Sequence, residues 1–332
     1  MATDWTAKFG GAFRGKPVLI TGGAGFVGSH LAEALVSLGA DVTVLDDLSH
    51  GSAGNVPPGA RLVVGSILDE SALRDAVGGG SHSRAEVVFH EAALGSVPRS
   101  IEVPELYMRV NVGGTLAVLE EARRAGVRRV VFAASSSAYG DTDELPKHEG
   151  MPPRGLSPYA ASKVAGEALL RAWANSYGLD TVSLRYFNIF GPRQNANSAY
   201  AAVIAAFAAA LLAGHRPVIF GDGSQSRDFT HVDNAVYANL LAAAHPQKLG
   251  GEVLNVATAA RITVLELATD MARLVGRPDL TPEFNPPRTG DVLHSQASLA
   301  LAAKVLGYAP ITPWEQGLAE TMQWYRNGLT ER

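Results

Sequence analysis

The sequence predicts an α/β protein with a doubly wound parallel sheet, and three observations support this. Residues 16–31 run an apolar strand through Gly22, Gly25 and Gly28 directly into a helical pattern. Apolar runs then alternate with helical patterns up to residue 186, as in a parallel sheet connected by helices. The chain has 332 residues with 47% hydrophobic content, enough for one large sheet domain and a smaller companion.

The remaining elements follow in order along the chain. Further strands are predicted at 41–46, 61–64, 86–90, 128–134 and 181–186, separated by helices such as 105–125 and 158–177. This alternation is that of a Rossmann sheet. After Phe187 it loosens and Pro and Gly become more frequent, which indicates substrate-binding loops. We therefore expect a cofactor domain over 1–187, with returning segments at about 217–260. A smaller, discontinuous α/β substrate domain should lie mainly over 188–332.

The three glycines and a downstream acid predict a dinucleotide site. A strand that enters a helix through glycines presents the helix N-terminus to a pyrophosphate. Asp46 ends the second strand about 20 residues later, where a carboxylate accepts hydrogen bonds from ribose hydroxyls and repels a 2′-phosphate. This pattern favours NAD over NADP.

Tyr159 and Lys163 form a second motif, four residues apart in a predicted helix. That spacing puts both side chains on one face, where the cation can lower the pKa of the phenol from about 10 towards neutral pH. A base of this kind beside a dinucleotide predicts hydride chemistry.

Composition excludes several other classes. A net charge of −4 argues against nucleic-acid binding, which needs a basic face. The absence of cysteine excludes disulfides and thiolate metal sites and fits a reducing cytoplasm, and no histidine spacing predicts a metal. No leader pattern indicates secretion. The apolar run at 199–213 is shorter than the about 20 residues of a membrane span, so we expect a buried helix and no membrane contact.

Eight motifs occur in the order typical of one family. They are TGGAGFVG (21–28), HEAALGSVPRS (90–100), NVGGT (111–115), ASSSAYG (134–140), YAASK (159–163), LRYFNIFGPR (184–193), GDGSQSRDFTHVD (221–233) and RTGDVLHS (288–295). The chain thus resembles the extended short-chain dehydrogenase/reductases, and within them the 4-epimerases of UDP-glucose and UDP-N-acetylglucosamine. The resemblance covers residues 16 to about 325.

The resemblance implies roles in catalysis. Tyr159 would take the proton of the sugar 4-hydroxyl, Lys163 would hold the nicotinamide ribose, and Ser135 would bond the 4-oxygen. Related dehydratases and decarboxylases carry an acid after this serine, whereas here Ser136 and Ser137 follow, which favours epimerisation. The family also implies a homodimer through the helices at 105–125 and 158–177.

Two sets of binding residues follow from the resemblance. The NAD set comprises Gly22, Gly25, Phe26, Val27, Gly28, Asp46, Ser49, Ser66, Ile67, Ala92, Ala93, Asn111, Tyr159 and Lys163. The UDP-sugar set comprises Ser96, Ser135, Ser136, Ser137, Tyr159, Asn188, Arg193, Arg227, Arg288 and Ser295. Arginine suits the diphosphate because its forked guanidinium can meet two phosphate oxygens.

Departures from the family pattern bear on specificity. Ser66 stands where the epimerases place an acid for adenine, and Gly95 replaces a lysine of some UDP-galactose epimerases. Ser295 is small where enzymes restricted to unacetylated sugars carry a tyrosine, so the pair UDP-GlcNAc and UDP-GalNAc is favoured, with UDP-glucose and UDP-galactose as further substrates. The alternatives are an epimerase of UDP-glucose and UDP-galactose only, an epimerase of UDP-glucuronate, and a non-catalytic NAD-binding regulator on the same fold.

Overall fold

A seven-stranded parallel sheet lies at the centre of the computed structural model, which describes residues 3–78, 83–195, 203–287 and 293–330. The strands of the described chain are β1 Pro17–Thr21, β2 Asp41–Asp46, β3 Arg61–Val64, β4 Val87–His90, β5 Arg129–Ser135, β6 Asp180–Tyr186, β7 Ile189–Phe190, β8 Val218–Phe220, β9 Ser226–Arg227, β10 Thr230–His231, β11 Glu252–Val256, β12 Ile262–Thr263 and β13 Glu283–Asn285. The main sheet has the order β11-β6-β5-β4-β1-β2-β3. The order reverses between β1 and β4, and ligands of such sheets bind at the carboxyl ends of the strands there.

Helices cover both faces of this sheet. The described helices are α1 Trp5–Phe9, α2 Phe26–Ser37, α3 Glu70–Val77, α4 Val97–Glu102, α5 Pro104–Tyr107, α6 Gly114–Ala125, α7 Pro158–Tyr177, α8 Val203–Leu212, α9 Val232–Ala244, α10 Val264–Leu274, α11 Ala300–Leu306 and α12 Trp314–Thr330. One apolar core lies between the sheet and α2, α9 and α11, and another lies between the sheet and α3, α6 and α7. Because both faces are covered, every residue of β4 is buried.

A third apolar core gathers parts of the C-terminal half. It joins α8, α10 and α12, with Phe190, Phe229 and Trp314 among its aromatic residues. Short strand pairs, β7 with β10, β8 with β13 and β9 with β12, border it. In contrast, α9 and β11 belong to the main sheet layer, because β11 pairs with β6.

Two predicted helices differ in detail from the structure. The single helix expected at 105–125 is α5 and α6 joined by a π-helical segment, Met108–Gly113. The apolar run at 199–213 contains α8, which buries Ile204, Phe207 and Leu211, while residues 196–202 lie outside the described part. Among the described helices, none is both long and apolar enough to cross a membrane.

Candidate active site

The glycine turn after β1 fits a dinucleotide. A Cβ on Gly22 would lie 2.6 Å from the Ala92 nitrogen, and one on Gly28 would lie 2.3 Å from the Gly22 carbonyl oxygen. Gly25 is the N-cap of α2 and offers no side chain to the helix terminus, so Phe26 and Val27 begin the helix with backbone N–H groups available to an anion. A side chain at Gly22 or Gly28 would collide with this backbone, so the close turn that brings the helix N-terminus to the strand end requires glycine at both positions.

Asp46 lies beside this turn at the end of β2 and is 8% exposed. Its Oδ2 accepts a hydrogen bond from the Ala24 N–H at 3.0 Å, and Oδ1 accepts one from the Leu48 N–H at 2.8 Å. Each oxygen keeps a lone pair for a further donor. The carboxylate is therefore fixed in orientation and fits the ribose role expected from the sequence.

Replacing Asp46 with alanine is expected to lower the preference for NAD over NADP by at least about tenfold. The change removes an acceptor for the ribose hydroxyls and a charge that repels the 2′-phosphate. The ratio of the two dissociation constants, measured by calorimetry, checks this. Asp47→Ala is the matched control because Asp47 is exposed and its Oδ1 only accepts a bond from the Ser49 N–H. An unchanged ratio in Asp46→Ala, or NADP carried by the purified wild type, would contradict the assignment.

The other predicted NAD residues lie on loops around the same strand ends. Ser49 is exposed after β2, and the Ser66 hydroxyl accepts the Leu68 N–H at 3.2 Å after β3. Ile67 is buried beneath α6, where a Cβ on Gly114 would reach its Cδ1 at 2.3 Å. Ala93 lies on the loop that follows β4.

The predicted catalytic residues meet at the carboxyl end of β5. Ser135 ends that strand, and α7 carries Tyr159 and Lys163 past it. The helix begins at Pro158 because the Ser157 side chain accepts the Ala160 N–H. The Lys163 Nζ donates to the Ala133 carbonyl oxygen at 2.7 Å and lies 6.0 Å from the centre of the Tyr159 ring.

The prediction that Lys163 lowers the pKa of Tyr159 is wrong for this arrangement. Burial raises the pKa of Tyr159, and a hydrogen bond with Ser135 opposes that rise only in part. Burial also lowers the pKa of Lys163 to about 8. Helical spacing places both groups on one face as expected, but the ammonium turns to the Ala133 carbonyl and the phenol loses its hydration.

Asn111 lies in the π-helical segment and has an internal role. Its Oδ1 accepts the Leu94 N–H at 2.9 Å, while Nδ2 donates to the Leu94 carbonyl at 3.1 Å and to the Ser162 hydroxyl at 2.9 Å. These bonds clamp the loop after β4 against α7 beside Lys163. Asn111, which the sequence assigns to NAD, therefore bonds to protein groups and positions its neighbours.

A buried histidine supports the same loop, and sequence reasoning missed it. Thr115 Oγ1 donates to the Asn111 carbonyl, so it accepts from His90 Nε2 at 3.0 Å. His90 Nδ1 must then accept from the Thr21 hydroxyl at 2.7 Å, which in turn accepts the Ala92 N–H at 3.4 Å. Burial lowers the pKa of His90 to about 3, so the ring is neutral. The sequence signal that could have identified His90 is its position as the one polar residue at the end of the otherwise apolar strand β4.

The serines of the UDP-sugar set lie on two sides of the site. Ser136 and Ser137 form a 3₁₀ turn after β5, and Ser135 Oγ accepts the Ser137 N–H at 3.2 Å and hydroxyl at 2.9 Å. Ser96 instead caps α4, where its Oγ accepts the Arg99 N–H at 3.2 Å.

Only some of the residues predicted to bind the UDP-sugar from the C-terminal half lie next to one another. Asn188 donates to the Asp228 carbonyl at 3.1 Å, and Arg227 donates to the carbonyls of Ser226 and Leu293. Ser295 is 7% exposed, and its N–H donates to the Ser226 carbonyl at 3.0 Å, next to Arg227. Arg288 lies outside the described residues.

Arg193 departs from its predicted place among the substrate residues. Its Nη2 forms a salt bridge with Glu33 of α2 at 2.6 Å, and its Nε contacts His30 of the same helix. The guanidinium is thus held against α2, the helix that follows the glycine turn.

The described residues contain no group of three or more His, Asp or Glu side chains placed to hold a metal ion.

The sheet, the glycine turn and the Tyr-Lys pair define a dinucleotide-dependent enzyme of the short-chain dehydrogenase/reductase type. Residues 18–257 match the model of the NAD dependent epimerase/dehydratase family, and the chain belongs to that family. NAD is accordingly its cofactor.

Individual relatives cover almost the whole chain. It is 42% identical to a UDP-glucose 4-epimerase of Mycolicibacterium smegmatis over 315 residues, covering 93% of this chain and 98% of the relative. A solved UDP-N-acetylglucosamine 4-epimerase from Methanobrevibacter ruminantium, in complex with UDP-N-acetylmuramic acid, is 35% identical with a TM-score of 0.89 and covers 95% and 99% of the two chains. The UDP-glucose 4-epimerase of Thermus thermophilus, in complex with NAD, is 36% identical with a TM-score of 0.84 and covers 93% and 99%.

Proposed function

We propose that this protein epimerises UDP-hexoses at C4 with NAD, interconverting UDP-GlcNAc and UDP-GalNAc and also UDP-glucose and UDP-galactose. The observation that carries the proposal is the grouping of Ser135, Tyr159 and Lys163 at the carboxyl end of β5, on the same edge of the sheet as the glycine turn after β1. The 4-epimerases among its relatives support the same reaction.

Bound NAD supplies a hydride acceptor that takes the C4 hydrogen and later returns it. The Tyr159 oxygen, as the phenolate, would take the proton of the 4-hydroxyl, and the phenol so formed would give it back to the 4-oxygen of the epimer. Ser135 Oγ accepts two bonds from Ser137, so its own hydrogen is left to donate to Tyr159 or to the sugar 4-oxygen. Lys163, with a pKa of about 8, carries a positive charge at neutral pH on the same helix face.

The residues after Ser135 favour epimerisation over elimination. A dehydratase needs an acid near the reacting sugar to move a second proton, and Ser136, Ser137 and Ala138 offer none. The oxidised sugar can then only be reduced again. If it turns in the site before hydride returns, the opposite C4 configuration results.

The nucleotide would be held by Asn188, Arg227 and Arg288. Guanidinium groups recognise phosphate oxygens as forked donors. Arg227 and Ser295 are neighbours across the Ser226 backbone, so the diphosphate end and the C2 side of the sugar would be close together.

Ser295→Tyr is expected to lower kcat/KM for UDP-GlcNAc relative to UDP-glucose by at least about tenfold. Ser295 is buried, and a phenol ring there would occupy the volume that an acetamido group needs. Both substrates are assayed side by side, with Ser295→Ala as the matched control because it keeps the space and removes only the hydroxyl. An equal loss on the two substrates would contradict the assignment.

The reaction itself is tested by NMR time courses of the anomeric protons with UDP-GlcNAc, UDP-glucose and UDP-glucuronate offered separately. The proposal predicts C4 epimers of the first two. Turnover of UDP-glucuronate alone would move the assignment to the uronate epimerases, and no turnover of any sugar would indicate a binding protein.

We also propose that the chain forms a homodimer through the helical segments 105–125 and 158–177. Met108, Leu116 and Tyr177 expose apolar surface on these segments, 37%, 41% and 56% respectively. The molar mass in solution tests this.

A further inference from the structure

Glu91 directly follows β4 and holds a carboxyl group at the edge of the site. The Tyr186 hydroxyl donates to Glu91 Oε1 at 2.7 Å, and Asn239 Nδ2 donates to that hydroxyl at 2.6 Å. The Glu91 N–H donates to the Thr21 carbonyl at 3.1 Å, which ties the residue to the start of the glycine turn. A chain of donors from α9 thus fixes one oxygen of the carboxyl group.

Lys163 and Glu91 lie at the carboxyl ends of the neighbouring strands β5 and β4. Lys163 Nζ donates to the carbonyl of Ala133 at 2.7 Å, and Ala133 and Glu91 directly follow Phe132 and His90, which pair with each other in the sheet. Lys163 is 4% exposed, and burial lowers its pKa to about 8; the negative charge of Glu91 is the largest influence opposing that fall. Burial raises the pKa of Glu91 to about 7, while the Tyr186 hydrogen bond and the positive charge of Lys163 act in the opposite direction. A buried lysine loses its proton readily unless an anion stands near it.

The other ionisable groups around the pair do not replace Glu91. Glu167, on the helix of Lys163, is bound through both oxygens by Arg185 at 2.8 and 2.7 Å, so its charge is largely compensated. His90 on β4 is neutral because its pKa is about 3. Burial raises the pKa values of Tyr186 and Tyr159, which disfavours a phenolate beside Lys163 before substrate binds. Glu91 and Glu167 both favour the charged form of Lys163, and Glu91 has the larger effect.

We propose that Glu91 is a positioning residue whose carboxylate keeps the Lys163 ammonium protonated where Tyr159 works. This inference rests on the proposed epimerase function, because it assigns Glu91 a part in the same reaction. It acts through Lys163 and not through contact with the sugar.

The variant Glu91→Gln removes the charge and keeps an oxygen that accepts from Tyr186. We expect the alkaline limb of the kcat/KM profile to move to lower pH by about one unit, because Lys163 then loses its proton more easily. Glu149→Gln is the matched control: burial also raises the pKa of Glu149, its Oε1 accepts the Asn255 N–H at 2.7 Å, and its charged neighbours are Arg185 and His148. An alkaline limb that stays in place in Glu91→Gln, or moves equally in both variants, would overturn the proposal.

A second arm uses thermal unfolding of the full-length protein and needs no turnover. Because folding raises the pKa of Glu91 from 4.5 to about 7, the folded state binds this proton more tightly. Glu91 therefore lowers stability as pH rises through that interval. The difference in Tm between Glu91→Gln and wild type should therefore grow, in favour of the variant, as the pH is raised from 4.5 to about 7. In a Lys163→Met background this growth should extend to higher pH, because the cation no longer lowers the pKa of Glu91.

The same pH interval in both backgrounds would show that the pair does not interact and would overturn the inference. A wild type that turns over no UDP-sugar would refute the proposed function instead. The two failures are thus distinguishable.

Discussion

Tyr159→Phe is expected to lower kcat by about 10²–10⁴-fold while NAD stays bound. The change removes only the hydroxyl that would carry the proton. The ring should keep its edge-to-face contact with Tyr107, whose ring centre lies 6.5 Å away. The measurements are kcat with UDP-glucose and UDP-GlcNAc, together with the NAD content and Tm of the variant.

Tyr308→Phe is the control for the loss of a buried hydroxyl. Tyr308 is 2% exposed, and its hydroxyl donates to the Ala257 carbonyl at 2.9 Å, outside the residues of the site. We expect a lower Tm and a kcat within a few-fold of wild type. A Tyr159→Phe variant that turns over within a few-fold of wild type would show that Tyr159 is not the base.

Gly28→Ala is expected to abolish measurable NAD binding and to lower stability by about 1–3 kcal/mol. The new Cβ would lie 2.3 Å from the Gly22 carbonyl oxygen and 2.8 Å from the Gly23 Cα, so the turn that faces the pyrophosphate must move. Calorimetric titration with NAD and the Tm of the cofactor-free protein check the two effects.

Gly328→Ala provides the matched control, because an added Cβ there meets nothing within 4 Å and the position is exposed on α12. It should bind NAD like wild type, with a stability gain of up to about 1 kcal/mol from helix propensity. Wild-type NAD affinity in Gly28→Ala would contradict the role of the glycine turn.

The sequence predicted the strand ends well because local patterns determine them. The apolar run that ends in Asp46 and the run 128–134, which Ser135 follows, placed both residues at the carboxyl edge of one sheet, where the structure has them. The sequence did not predict the π-helical segment around Asn111, because one inserted residue hardly changes a 3.6-residue hydrophobic periodicity. Such segments occur often at functional sites.

Long-range contacts account for what the sequence missed. Arg193 bonds Glu33, 160 residues away in the chain, and no motif specifies that pairing. The pKa of Tyr159 depends on how deeply the phenol is buried, which the spacing to Lys163 does not reveal. Glu91 became a candidate only when β6 and α9 brought Tyr186 and Asn239 to it.

The most direct test follows the hydrogen at C4. UDP-glucose carrying deuterium at C4 is incubated with the enzyme in ordinary water, and the UDP-galactose formed is examined by NMR and mass spectrometry. A hydride that leaves C4 and returns to it within one bound complex predicts full retention of deuterium at C4 of the product. Loss of the label to water would contradict the account, because it would mean that the C4 hydrogen leaves as a proton.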